Sequence, residues 1–228
     1  MTSVVAISNI AGGTHKTTTA HALAVATVEY GKKVLLIDLD PRAELTFNVG
    51  HERSRQSIVE MLSGSTLAQS DDITTDERFD FIGADSRLAS INDVNSLEVF
   101  LKTLTDKYDV IFIDTPAQID SRMAMAFKVA DAIVIPVSDS IHSLRGAIKT
   151  ANIETSAKKF ILQSGQLPAE QSALFSEYEI LDTLIPRTSE IDSALSNKRS
   201  VLSVNKNSDF AEAYREASYS LLEHLKFF

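Results

Sequence analysis

Residues 3–18 read Ser3-Val4-Val5-Ala6-Ile7-Ser8-Asn9-Ile10-Ala11-Gly12-Gly13-Thr14-His15-Lys16-Thr17-Thr18. An apolar run, a turn with two glycines and a polar helix start follow one another directly. Such a run marks a strand buried on both faces. Gly12 and Gly13 let backbone N–H groups close on an anion, and the amides opening the next helix point at negative charge. Lys16 would place an ammonium on the β- and γ-phosphates of a nucleotide, and the Thr17 hydroxyl would complete a Mg²⁺ shell. The stretch predicts a phosphate loop, with Gly12, Gly13, Thr14, His15, Lys16, Thr17 and Thr18 as its nucleotide-binding residues. His15 precedes the lysine where glycine is usual, so the plain G-x-x-x-x-G-K-[ST] pattern fails there.

Two further apolar runs extend the site. Val34-Leu35-Leu36-Ile37 ends in Asp38-Leu39-Asp40-Pro41, and Val110-Ile111-Phe112-Ile113 ends in Asp114-Thr115-Pro116. Ligands on parallel sheets gather at the carboxyl ends of strands, where these aspartates fall. A lone Asp after a strand is ordinarily a turn or helix cap. Three strand ends carrying a loop lysine and three carboxylates in this order predict one Mg²⁺–phosphate site.

These motifs, together with Gly31-Lys32-Lys33 before the second run, Tyr108-Asp109 before the third and Ala130-Asp131-Ala132-Ile133-Val134-Ile135-Pro136-Val137, resemble the ParA/MinD-type ATPases with a deviant K-G-G-x-x-K-T loop. The likeness runs along nearly the whole chain and is greatest to short ParA proteins without a separate DNA-reading domain. It implies a three-layer α/β P-loop fold with a mostly parallel twisted sheet. It also implies a weak ATPase that uses ATP and Mg²⁺, dimerises on ATP and answers to an adaptor or activator protein. Lys16 and Thr17 would hold phosphate and metal, Asp40 would orient the attacking water, Asp114 would act on Mg²⁺ through water, and Asp38 would support the metal shell.

Departures from that family are specific. Its signature lysine, which reaches the partner's phosphates across the dimer, falls at Ala11. Loss of such a transition-state cation can cost ~10³-fold or more in rate. Arg42, where the family usually has Gln, and Arg145 and Lys149 after the fifth apolar strand are candidate substitutes, with Lys149 preferred because McdA-type relatives use a later lysine. The same residues also read as solvated surface charges. At His15 a positive φ would cost about 1–3 kcal/mol.

The 228 residues, 44% hydrophobic, suit one α/β domain spanning 1–228. No stretch reaches the ~18 apolar residues of a membrane span, and the start lacks the basic segment of a signal peptide. Cysteine is absent, which excludes a thiolate-held iron–sulfur cluster, and the five histidines show no metal-ligand spacing. These features are compatible with the cytoplasm, and the resemblance to ParA-type proteins implies association with the nucleoid. Strands are expected near 3–8, 33–37, 79–83, 109–113, 132–137, 159–163 and 181–185. Helices are expected near 16–30, 55–63, 94–106, 119–129, 141–152, 169–178, 188–198 and 208–226, with 64–78 a loop.

No guanine-reading Asn-Lys-x-Asp box occurs, so adenine is expected. Gln163 takes the place of the family's purine-contacting Asn, and Pro186 and Arg187 resemble the segment backing the base. The net charge of −9 opposes DNA at long range. Arg187, Lys198, Arg199, Lys206 and Arg215 nevertheless form a candidate non-specific DNA surface, with acids interleaved among them. The last helix carries Phe210, Tyr214, Ala217, Leu221 and Leu225 at helical spacing, and its mixed polar face suits packing on the domain better than an anionic membrane.

Two readings of function follow. Lys16, Thr17, Asp38, Asp40 and Asp114 favour an ATP-dependent switch that positions a plasmid, chromosome region or protein cargo. Ala11 and His15 favour a hydrolysis-deficient nucleotide-binding scaffold of the same fold.

Overall fold

A computed structural model describes residues 2–54, 56–65, 73–104, 106–189, 191, 194 and 196–228. Seven strands form one sheet: β1 (Ser3–Ile7), β2 (Val34–Asp38), β3 (Asp80–Ile82), β4 (Val110–Asp114), β5 (Ala132–Val137), β6 (Lys158–Ser164) and β7 (Glu179–Ile185). Their order is β3-β2-β4-β1-β5-β6-β7, and every strand pair is parallel. All seven expected strands are present. The chain leaves β1 toward one edge and later returns past it toward the other. The carboxyl end of β1 is therefore the crevice where ligands bind such sheets.

Strand alternation explains the continuous apolar runs. Val4 and Ala6, Leu35 and Ile37, and Ile111 and Ile113 face one hydrophobic layer. Val5 and Ile7, Val34 and Leu36, and Val110 and Phe112 face the other. β2, β4 and β5 are buried along their whole length on both sides, whereas the edge strand β7 keeps several positions exposed.

Helix α1 (Lys16–Glu29) lies against the second layer together with the long C-terminal helix Asp209–His224. Tyr30 and Gly31 end α1, and Gly31 takes the positive φ of 77° that a helix-terminating glycine supplies. The opposite layer is covered by α3 (Ile58–Leu62), α4 (Ser96–Lys102), α5 (Ser121–Val129) and α6 (Ile141–Ala151). A capping box at Ser57 and Glu60 starts α3.

Several boundaries differ from expectation. Helix α2 (Glu44–Val49) was not anticipated, because six residues carry too little periodicity to register. The helix expected at 169–178 is one turn, α7 (Ala169–Ser172), followed by a 3₁₀ turn, Ala173–Phe175. A short helix α8 (Val201–Val204) precedes the C-terminal helix, here α9. The helix expected near 188–198, and residues 66–72 of the expected loop, lie partly or wholly outside the described residues. Among the described residues no helix is long and apolar enough to cross a membrane.

Candidate nucleotide site

The loop after β1 is shaped by two positive-φ residues, Gly13 at 69° and His15 at 60°. Glycine meets this demand without strain; histidine does so at about 1–2 kcal/mol. His15 is the residue before α1, and its side chain makes no cap bond to that helix, leaving the first amides directed at the loop. Asn9 braces the other side. Its Oδ1 accepts from Ala11 N at 2.9 Å, and its Nδ2 donates to Pro136 O at 2.9 Å and Ser143 O at 3.3 Å. Lys16 Nζ curls inward to Ala11 O at 2.9 Å and is buried.

Register brings the carboxylates together. Asp38 and Asp114 are direct partners at the ends of β2 and β4, and Ile7 pairs with Asp114 on β1. Asp38 is fully buried. Its Oδ1 accepts from Asp40 N at 3.0 Å, and its Oδ2 accepts from Thr46 N at 3.0 Å and Thr46 Oγ1 at 2.7 Å. Asp38 thus ties the 38–46 segment into a fixed curve, with Thr46 Oγ1 also accepting from Ala84 N at 2.8 Å. Burial pushes the Asp38 carboxyl up to about 6, against the lowering effect of those bonds.

Asp114 differs. It is buried, its Oδ1 has no partner among the described residues, and Thr17 donates a hydrogen bond to the carboxylate. Burial raises its pKa well above the carboxylate range, and the charge of Asp38 adds to this; Thr17 and Lys16 oppose it. Burial lowers the Lys16 pKa, with Asp114 pulling the other way. A buried carboxylate oxygen without a partner, beside a hydroxyl and a second carboxylate, is a donor set suited to a hard divalent cation. Thr17, Asp114 and, behind them, Asp38 fit Mg²⁺; Lys16 and the α1 amides fit phosphate.

Asp40 begins the turn Asp40-Pro41-Arg42-Ala43, closed by Ala43 N donating to Asp40 O at 2.9 Å. Its carboxylate is nearly buried and is held by Arg42, whose Nε and Nη2 donate to Oδ2 at 3.0 and 2.7 Å.

On the α9 side of the loop, His15, Thr18, Ser164, Pro186, Arg187 and Tyr214 line a cavity of about 190 Å³. Burial, then the charge of Arg187, lowers the His15 pKa, so a neutral imidazole faces this cavity. Pro186 and Arg187 line this cavity together with His15 and Thr18. Gln163 does not. Phe160 and Leu162 face the α9 layer and Ile161 the other, so alternation along β6 turns Ser164 toward the cavity and Gln163 away from it.

On the opposite side, Ala11 opens onto a cavity of about 530 Å³ lined by Ile10, Ile141, His142, Arg145, Gly146 and Lys149. Lys149 therefore lies beside the position that the resemblance assigns to the missing lysine. Asn9, Thr46, Ser164 and Gly146 were not singled out from sequence. Asn9 alone carried a signal, as a polar residue two positions after a buried strand.

The five basic residues proposed for DNA do not form a free patch. Arg187 pairs with Asp139, Lys198 with Glu52, Arg199 with Asp76 at 3.3 Å and Arg215 with Glu29 at 2.6 Å. Lys206 is exposed, and its carbonyl accepts from Arg215. The acids interleaved in sequence are only part of this neutralisation; Glu29, Glu52, Asp76 and Asp139 arrive from distant segments.

A phosphate loop on the central strand, with carboxylates ending the neighbouring strands, defines a P-loop nucleotide-hydrolase architecture. The chain belongs to the family described as AAA domain, whose model matches residues 2–163, and within it to the ParA/MinD-type ATPases. It is 26% identical over 245 residues to the sporulation initiation inhibitor protein Soj of Bacillus subtilis, covering 94% of this chain and 96% of that one. It is 29% identical over 173 residues to the maintenance of carboxysome distribution protein A of Synechococcus elongatus, covering 72% and 69%. Cobyrinic acid a,c-diamide synthase of Mycobacterium smegmatis, solved with ADP and magnesium, superposes with a TM-score of 0.77 at 26% identity, over 100% of this chain and 96% of that one.

Proposed function

We propose that this chain, as one domain over 1–228, is a cytoplasmic ATP-dependent dimerising switch ATPase that positions or segregates a plasmid, chromosome region or protein cargo over nucleoid DNA. The observation that carries this reading is the buried Asp114 Oδ1, without a partner among the described residues and facing the Lys16–Thr17 loop. A scaffold without metal and phosphate would gain stability by replacing that carboxylate. Mg²⁺, when bound, would neutralise phosphate charge, with Thr17 and Asp114 as its holders and Asp38 fixing the segment behind them.

The chain's own residues divide the remaining work. Lys16 supplies the phosphate-facing ammonium, and its present bond to Ala11 O keeps it in the loop. Asp40 orients the attacking water. Lys149, on the Ala11 cavity, provides the charge across the dimer that Ala11 lacks. His15, Thr18, Pro186 and Arg187 enclose the adenine side, with Ser164 in place of Gln163. An adaptor protein stimulates turnover. The acidic partners of Arg187, Lys198, Arg199 and Arg215 make DNA retention depend on doubling the surface in a dimer.

One observation favours the alternative, a hydrolysis-deficient scaffold: Asp40 is bound by Arg42 rather than open to water. The deciding experiment measures mass and retention on non-specific DNA with Mg-ATP, Mg-ADP or no nucleotide, with Lys16→Ala as control. The switch reading expects an ATP-dependent dimer retained on DNA and lost in the variant. An ATP-insensitive monomer overturns it. ATP-dependent dimerisation with turnover no higher than that of Asp40→Ala transfers the assignment to the scaffold.

A further inference from the structure

The segment Asp40-Pro41-Arg42-Ala43 builds a device around one carboxylate. Asp at the first and Pro at the second position of a turn pre-set its course, and the Arg42 amide donates to Asp40 Oδ1 at 2.9 Å. That bond places residue 42 directly over the carboxylate. The guanidinium then closes on it, Nε donating to Oδ1 at 3.3 Å and to Oδ2 at 3.0 Å, and Nη2 to Oδ2 at 2.7 Å. Both Asp40 oxygens are therefore engaged by one residue. The Asp40 side chain is 7% exposed and that of Arg42 is 62% exposed. The carboxylate has little other access to water, whereas the arginine has solvent to swing into.

We propose that Arg42 is a positioning residue that clasps Asp40 and holds the basal hydrolysis rate down until the guanidinium lets go. The inference rests on the switch reading above and deepens it. Arginine is suited to this role because its planar fork meets a carboxylate at two points; lysine and glutamine cannot reproduce that grip. The clasp also sits within the field of the phosphate loop, since the Arg42 charge acts on Lys16 and is itself felt by Asp114. A polyanion on the loop would compete with Asp40 for the same guanidinium. Hydrolytic competence is thereby linked to the charge state of the site.

The test combines one stability and one kinetic readout on the full chain. A double-mutant cycle of Arg42→Gln, Asp40→Asn and the pair is followed by urea unfolding without nucleotide, then with saturating Mg-ATPγS. The clasp requires strong non-additivity without nucleotide and its loss on loading. In single-turnover hydrolysis, Arg42→Gln should raise the rate about tenfold, with Arg42→Lys between it and wild type, while mant-ATP affinity stays within about twofold. Additive stability effects, coupling that persists unchanged on loading, or an unchanged or lower rate in Arg42→Gln would each overturn the clasp. If the wild-type chain binds no mant-ATP, the switch reading fails and the hydrolytic role of Arg42 fails with it. Normal binding with additive stabilities removes the clasp alone.

Discussion

Gly146 of α6 lies against Ala11 of the phosphate loop with no room for a side chain: a Cβ built on the glycine would come within 2.6 Å of the alanine's methyl and 2.2 Å of Asn9 Oδ1. Ile10 N donates to Thr150 Oγ1 at 3.0 Å one turn further along, so α6 is fastened to the loop at two points. Helix propensity alone favours Gly146→Ala by about 1 kcal/mol. The contact reverses that sign. Gly146→Ala should destabilise the protein by about 1–3 kcal/mol, lowering Tm by several degrees in a thermal melt.

The same contact sets where Lys149 stands. Lys149→Ala should reduce ATP turnover by roughly 10³-fold if this lysine replaces the missing transition-state cation. Mant-ATP affinity should change little, because the residue acts across the dimer. Turnover equal to wild type removes Lys149 from the reaction.

Asp114 is a site built at the expense of stability. Asp114→Asn removes a buried charge while keeping an oxygen for Thr17, and should stabilise the nucleotide-free protein by about 1–2 kcal/mol. Mg²⁺-dependent nucleotide affinity should fall at least about tenfold, since a neutral amide is a poor ligand for a hard cation. Calorimetry with and without Mg-ATP checks both signs at once.

Asp38 gives the nucleotide-free protein an unusual pH dependence. Its folded pKa, about 6, lies above the ordinary aspartate value of 3.8, so the folded state binds the proton more tightly than the unfolded chain. The resulting stability is fully present below about pH 4 and is lost as pH rises through 6. Urea midpoints without nucleotide should therefore fall between pH 5 and pH 7. Thr46→Val removes a donor to Asp38 and should steepen that fall.

His15→Gly tests the strain at φ 60°. Relief of about 1–2 kcal/mol outweighs the added chain entropy of glycine, and net stabilisation near ~0.5–1 kcal/mol is expected. A destabilised variant would show that the imidazole's contacts in the cavity beside Arg187 exceed the backbone cost.

The sheet was legible because buried parallel strands leave a strong local trace. Val34–Ile37 and Val110–Ile113 are continuous apolar runs for a reason visible in the layers: each faces helices on both sides. Lys16, Thr17, Asp38, Asp40 and Asp114 were legible for a related reason, since parallel strands deliver their ends to one crevice. Helix α2 was not, because its six residues are held by Asp38–Thr46 bonds and not by their own periodicity. Ser164, not Gln163, lines the cavity beside His15, and one residue in a strand is the whole difference between two faces.

By itself the sequence determined the strands, the loop and the identity of the converging charged groups, because these depend on local pattern and chain order. Tertiary structure alone decided which of those charges are available. It joined Arg42 to Asp40, left Asp114 Oδ1 without a partner among the described residues, and paired Arg187, Lys198, Arg199 and Arg215 with acids from remote segments. Pairing of this kind depends on distances of a few ångströms between residues far apart in the chain, and no one-dimensional pattern records them.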